Sequence, residues 1–306
     1  MSRFPRTIRV ISGTLIVAAI CVAFYYVATL LVQIFFTTSS AVSSTSTATS
    51  STTKTSQVDT AKASSTTQLQ AIVDSMTTSY GSNVAIVLGD LSNGATASAN
   101  ADTQYVSASI YKLFVAYGIY RKIDAGEVSL TDDMSRYGTS SNVGECLNLM
   151  LTISDNTCGV ALGQLYGWAD LDLLLAAQGY SGTQLNNYDD SGYLDSDKLT
   201  TANDVAKLLT QLYAGTLVSA TSSTQFIDLL KADQINYMLP SGLSAGTVFA
   251  HKVGYLEDYQ HDAGILYGTN GDMVVVMLTK DWTTPTTDAA AAFGKLGQLV
   301  WTYLST

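Results

Sequence analysis

Ser109-Ile110-Tyr111-Lys112 leads into Leu113-Phe114-Val115-Ala116-Tyr117-Gly118-Ile119-Tyr120, an unbroken apolar segment. Such a run with no polar face reads as a buried helix. A serine at its start and a lysine three residues on share one helical face, one turn apart. Backbone N–H groups at a helix start can hold an anion beside the hydroxyl. A lysine that is desolvated, or set beside another cation, loses basicity and can take the proton of the serine. The pair is then a nucleophile and base that need no histidine. Spacing alone does not decide this, because Ser51-Thr52-Thr53-Lys54 has it too, in a stretch that can hardly build a site. The remaining sequence has to complete a site around Ser109.

Before that segment, Leu69, Ile72, Val73 and Met76 follow helical spacing. Residues 83–91 read as a strand, Ser92-Asn93-Gly94 as a tight turn and residues 95–99 as the return strand. After it, Asp124-Ala125-Gly126 is a helix stop. Residues 146–153, 157–166, 169–178, 201–213 and 222–231 read as helices, with Ser154-Asp155-Asn156 interrupting the first two and residues 186–198 a polar loop. Residues 247–253, 262–267 and 273–279 read as strands, with Gly268-Thr269-Asn270-Gly271 as a turn, and residues 287–304 as a closing helix. Strands at both ends and helices between predict an α+β domain over residues 66–306. That order suggests one sheet built from both ends of the domain, plus a helical insert.

The N-terminus carries a different signal. Residues 10–36 form 27 residues without a charge, longer than the roughly 20 that span a bilayer. Arg3, Arg6 and Arg9 precede them in a basic tail over residues 1–9, which places the N-terminus in the cytoplasm. The run is long for a signal-peptide core and ends without a small-x-small cleavage site. We expect an uncleaved, single-pass signal anchor in the cell membrane, with Cys21 a small apolar residue within it. Residues 37–56 hold 16 Ser or Thr in 20 and have almost nothing to bury. Residues 37–65 are therefore expected to be a flexible stalk, with the folded domain outside the cytoplasm. From residue 66 on there are 24 acidic and 10 basic residues, a net −14. That excludes a nucleic-acid partner, which needs a basic footprint.

Two later stretches complete the site. Ser154-Asp155-Asn156 sits on a loop between helices, where a hydroxyl can point into a cleft and relay a proton to a leaving amine, and where Asn156 can bind a substrate amide. Lys252-Val253-Gly254 ends a strand, where Lys252 can steer a carboxylate and lower the pKa of its neighbours. Each motif alone has an ordinary reading as a helix cap with a surface lysine, a helix start, or a strand end. Three in this order are far harder to explain that way.

The ordered set Ser109-x-x-Lys112, Ser154-Asp155-Asn156, Lys252-Val253-Gly254 resembles the class A β-lactamase and penicillin-binding serine hydrolase superfamily, the β-lactamase branch most closely. Tyr105-Val106-Ser107-Ala108, the stretch Ile123-Asp124-Ala125-Gly126-Glu127-Val128-Ser129-Leu130, and Met150-Leu151-Thr152-Ile153 support the likeness. It implies a β-lactamase/transpeptidase-like α+β fold, three-layer αβα with an antiparallel sheet formed from both ends of the domain plus the helical insert, with Ser109 as nucleophile, Lys112 as base, Ser154 as relay and Lys252 as anion guide. Asn156, Gly254 and Tyr255 would meet the substrate, and the backbone N–H groups of Ser109 and Tyr255 would form the oxyanion hole. It implies no cofactor, and as partner a small-molecule β-lactam or a cell-wall peptide.

The sequence departs from the family twice. Val253 replaces the usual Thr or Ser, removing a hydroxyl that would bind a substrate carboxylate, at a cost of about 1.5–3 kcal/mol. Thr183-Gln184-Leu185-Asn186-Asn187-Tyr188-Asp189 resembles the approach to the loop whose glutamate activates the deacylating water, which puts Asp189 near that glutamate's place without the Leu-Asn pair that follows it. Asp189 reads as a hydrolytic base one methylene short, or as a solvated loop acid. Cys146 and Cys158 flank the second motif, either as a disulfide fixing the Ser154 loop or as two buried thiols. His251, Glu257, Asp258, His261 and Asp262 crowd one hairpin, but His251 and Lys252 alternate across its faces and we expect no metal there. The leading reading is an acyl-enzyme serine hydrolase of β-lactams or related amides. D,D-peptidase activity on peptidoglycan peptides and a non-catalytic binding or sensor domain are the alternatives.

Overall fold

Side chains alternate along the strands, and that alternation creates two cores. A computed structural model describes residues 48–186, 198–256, 258–282 and 288–305. Within it, Thr55–Thr306 forms one compact unit. Its main sheet contains β1 (Val84–Asp90), β2 (Thr96–Ala99), β5 (Val248–Leu256), β6 (Tyr259–Tyr267) and β7 (Asp272–Thr279), in the antiparallel order β2-β1-β7-β6-β5. Along β7, Val274, Val276 and Leu278 enter one core and Met273, Val275 and Met277 the other. A strand buried on both faces has to be this apolar.

One face is covered by both ends of the domain. Helix α1 (Ala48–Tyr80) presents Leu69, Val73 and Met76, and α8 (Asp288–Ser305) presents Phe293, Leu296, Val300 and Leu304. The other face is covered by the insert: α2 (Tyr111–Asp124), α3 (Val143–Thr152), α4 (Asn156–Tyr166), α5 (Trp168–Ala177), α6 (Ala202–Tyr213) and α7 (Ala220–Lys231). This is the three-layer α+β arrangement that the resemblance implies, with the sheet and insert that the order of elements suggests.

All ten residues from Tyr111 to Tyr120 are buried, so α2 is a central helix with no solvent face. An Asn142–Glu145 capping box starts α3, and Asp155 caps α4 by accepting from the Cys158 N–H at 2.7 Å. Between these helices Ser154 takes a left-handed φ of 60°.

Three differences from expectation have physical causes. Helix α1 begins at Ala48, inside the stretch read as a flexible stalk, so residues 48–65 are helical. No Gly or Pro interrupts residues 48–80, and nothing stops the helix propagating back from its packed end. A second, two-stranded sheet pairs β3 (Tyr105–Val106) with β4 (Leu199–Thr200), a contact too short to leave a periodicity. Strands β5 and β6 also run further toward their turn than the apolar pattern reaches. The expected membrane span at residues 10–36 lies outside the described residues, and among the described residues no helix is long and apolar enough to cross a membrane.

Cys146 and Cys158 are joined, linking α3 to α4 across the Ser154 turn with a Cα–Cα distance of 4.8 Å. Closing so short a loop contributes about 3 kcal/mol in the chain-entropy account. Reduction under native conditions is expected to lower Tm by about 5–10 °C, read by thermal melts with and without reductant. Equal melts, with both thiols freely alkylated before reduction, would show that the bridge is absent.

Candidate active site

The helix that follows the nucleophile buries a lysine. Ser109 lies half-buried in a single 3₁₀ turn, Ala108–Ile110, that runs directly into α2. The turn is entered through Ala108 at φ 42°, a conformation that costs a non-glycine residue about 1–2 kcal/mol. Several bonds hold it there. Ser107 N–H donates to Lys198 O at 2.7 Å, Ile110 N–H to Ser107 O at 3.0 Å, and His261 Nε2 to Val106 O at 2.7 Å.

One turn on, Lys112 is fully buried. Its Nζ donates to Ser154 O and to Asn156 Oδ1, both at 2.6 Å, and lies 3.1 Å from Ser109 Oγ and 3.2 Å from Ser154 Oγ. The two carbonyl-type oxygens only accept, so they occupy two of the three nitrogen valences. The third valence faces both hydroxyls. As a lone pair it takes the Ser109 proton, and as an N–H it gives a proton to Ser154. The left-handed Ser154 is what turns both its carbonyl and its hydroxyl toward the amine. Gly159 makes room on α4, since a Cβ there would stand 2.9 Å from both Lys112 Cε and Tyr111 Oη. The structure thus joins Ser109, Lys112, Ser154 and Asn156 in one hydrogen-bonded group. With its Oδ1 on Lys112, the exposed Asn156 keeps its amide N–H groups for a substrate.

Strand β5 forms the other wall, at the open edge of the sheet. Gly254 is pressed on the nucleophile turn, where a Cβ would lie 3.0 Å from Ile110 Cγ1, 3.2 Å from Ser107 O and 3.3 Å from Ala108 Cβ. That contact brings the strand just before Tyr255 against the turn that holds Ser109. The side chain of Val253 goes into the core with Met238, Leu239 and Phe249. Lys252 is fully buried, donates to Val253 O at 3.0 Å, and faces Asp233 Oδ2 at 3.8 Å, an ion pair too long for a hydrogen bond. Burial pulls the Lys252 pKa down, opposed by Asp233 and Asp262. Burial likewise pushes Asp233 up, opposed by Lys252 and His251.

Asp233 leaves no motif in the sequence, and only its place just after α7 could have hinted at it. Lys198 carries no motif either; it is buried with its ammonium over the rings of Trp168 at 4.7 Å and Tyr111 at 5.0 Å. Asp189 lies outside the described residues.

Both histidines are engaged. His251 Nδ1 meets Asp262 Oδ1 at 2.8 Å, while Asp262 Oδ2 accepts from Leu239 N–H at 3.0 Å. Burial pushes the His251 pKa down, but Asp262 and Asp233 outweigh it and leave it raised. His261 donates from Nε2 to Val106 O and accepts at Nδ1 from Thr279 N–H at 3.1 Å, which fixes the neutral tautomer. Burial drops its pKa to about 4.

A family model described as a beta-lactamase enzyme family matches residues 64–304. No curated protein matches the chain. Solved structures do. A point mutant of PBP-A, in acyl-enzyme complex with penicillin G, is 23% identical at a TM-score of 0.67, covering 79% of this chain and 96% of that one. A β-lactamase from Chitinophaga pinensis is 19% identical at a TM-score of 0.70, covering 76% and 97%. An ancestral class A β-lactamase is 21% identical at a TM-score of 0.68, covering 76% and 98%. Likeness at these identities shows the fold.

Two predictions follow from the geometry. Gly159→Ala pushes the Lys112 stem off its oxygens, and a displacement near 1 Å is expected to slow acylation by about 10²-fold. A Tm within a few degrees of the parent would accompany that loss; unchanged acylation would refute the packing argument. The second concerns pH. His261 is lowered, so the native state binds fewer protons than the unfolded chain between the ordinary 6.5 and about 4. Its contribution is complete above pH 6.5 and drains as the pH falls through that window, by about 3 kcal/mol in total. His251 is raised and has the opposite sign: its contribution is complete below pH 6.5 and fades as the pH rises through its folded value. Urea unfolding across pH 4–9 should show both limbs, and His261→Gln should flatten the acid one.

Proposed function

The chain belongs to the beta-lactamase enzyme family, and from that premise we propose that it is an extracytoplasmic, membrane-anchored serine hydrolase that opens β-lactams or related amides through an acyl-enzyme. The observation that carries this is the position of Lys112 Nζ between two hydroxyls.

In acylation, Ser109 Oγ attacks the carbonyl carbon of the amide and gives its proton to Lys112. The backbone N–H groups of Ser109 and Tyr255 take the developing oxyanion. The C–N bond then breaks, Ser154 passes its proton to the leaving nitrogen, and Lys112 returns a proton to Ser154. The lysine ends as it began and the product is an ester on Ser109. Deacylation adds water across that ester, with Asp189 as the candidate base. Anchoring rests on the charge-free residues 10–36 behind three arginines.

A second reading is a D,D-peptidase-type activity on cell-wall peptides. Asp189 in place of the longer glutamate, without the Leu-Asn pair, favours it because slow deacylation leaves a long-lived ester.

The test is to incubate the full-length chain with penicillin G and follow its mass. Rapid turnover with unmodified protein supports the β-lactamase reading. A stable adduct on Ser109 supports the penicillin-binding reading. Lack of an adduct, with hydrolysis no different in Ser109→Ala, would refute both and leave a non-catalytic domain. Lys112→Met is expected to lower the acylation rate by about 10²–10⁴-fold, measured from the same mass traces.

A further inference from the structure

We infer that the site takes neutral substrates that carry an aromatic or bulky apolar group, and does not depend on a substrate carboxylate. The inference rests on the acyl-enzyme reading above and specifies the substrate class.

An anionic substrate needs an uncompensated cation or a hydroxyl at the β5 wall, and among the described residues neither is present there. Lys252 is fully buried and already paired with Asp233 at 3.8 Å. Behind it, His251 is paired with Asp262 at 2.8 Å. The four groups form a closed set of two acids and two bases that projects little positive field into the cleft. Val253, where a hydroxyl would be useful, sends its side chain into the core at 3% exposure. Three of the other basic groups lie over aromatic rings. Arg121 lies over Tyr117, Arg136 over Tyr137, and Lys198 over Trp168 and Tyr111. The domain field adds to this, since 24 acids against 10 bases from residue 66 on repel an approaching anion.

The rim offers another kind of recognition. Among the described residues six large apolar side chains are exposed, and three of them belong to the segments that build this site: Ile153 at 45%, Tyr237 at 41% and Tyr255 at 52%. Ile153 precedes Ser154, and Tyr255 follows Gly254 against the nucleophile turn. Tyr237 stands two residues before Leu239, whose N–H donates at 3.0 Å to Asp262, the cross-strand partner of Val253 on β5. Exposed tyrosines at a cleft mouth present rigid apolar faces at low entropic cost. They contribute most when they stack on a ring or cover an alkyl group.

The experiment compares acylation of Ser109, by mass, in the full-length chain with three probes. These are penicillin G, its methyl ester, and 6-aminopenicillanic acid, which lacks the aromatic group. The inference expects the ester to react within tenfold of the free acid. It expects penicillin G to react at least tenfold faster than 6-aminopenicillanic acid, with Tyr237→Ala and Tyr255→Ala together erasing that advantage. A free acid more than tenfold faster than the ester overturns the inference and leaves the acyl-enzyme reading standing. An aromatic advantage that is missing, or that survives both substitutions, does the same. Failure of all three probes to modify Ser109, together with no hydrolysis that is lost in Ser109→Ala, removes the acyl-enzyme reading, and this inference with it.

Discussion

Burying a lysine is the constraint on which the arrangement turns. A cationic side chain without solvent needs several oxygens at hydrogen-bond distance. Lys112 finds them on three segments: its own helix start at Ser109, the turn at Ser154, and the first residue of α4 at Asn156. To bring those oxygens together, α3 must end where it does, Ser154 must turn left-handed, and α4 must approach closely enough that only glycine fits at 159. The residues that satisfy the amine are also those the reaction uses. Packing requirement and chemical requirement coincide in one atom.

A second layer of charge lies behind the β5 wall. Asp233, Lys252, His251 and Asp262 come from the end of α7, from β5 and from β6. They lock the edge strand to its surroundings, and through Gly254 that strand is pressed on the nucleophile turn. His261 secures the same turn from the sheet, through the carbonyl of Val106. The nucleophile is therefore held by the insert on one side and by the sheet on the other. A pH change that alters either histidine acts on the framework of the site rather than on the reacting atoms.

Much of this was legible in the sequence where a repeating physical signal existed. The uniform apolar run after Ser109 gave the central helix, and the change from helical spacing to short apolar runs gave the late strands. Three motifs in order located the hydroxyls and lysines. What was not legible had no periodic or local cause. The pairing of β3 with β4 involves two residues on each side, separated by more than 90 positions. Asp233 is a single acid whose role depends on meeting Lys252 in three dimensions. His251 and Asp262 stood out as clustered titratable groups, yet cross-strand pairing, which the sequence does not state, decides that they bond to each other. The helix reaching back to Ala48 shows the converse: a polar Ser/Thr stretch carries no breaker, so composition alone misplaces its start.

Ala108 and Ser154 are both non-glycine residues in the left-handed region, and they stand on either side of the buried amine. Each holds about 1–2 kcal/mol that a glycine would release. Glycine at 108 would relieve that strain but leave the neighbouring Ser109 hydroxyl less fixed, and glycine at 154 would relieve it only by removing the relay hydroxyl itself. Selection for robustness and selection for turnover therefore pull in opposite directions at these two positions. A search for more heat-resistant variants should find its gains elsewhere in the fold, in the helix faces and surface turns that Lys112 does not touch.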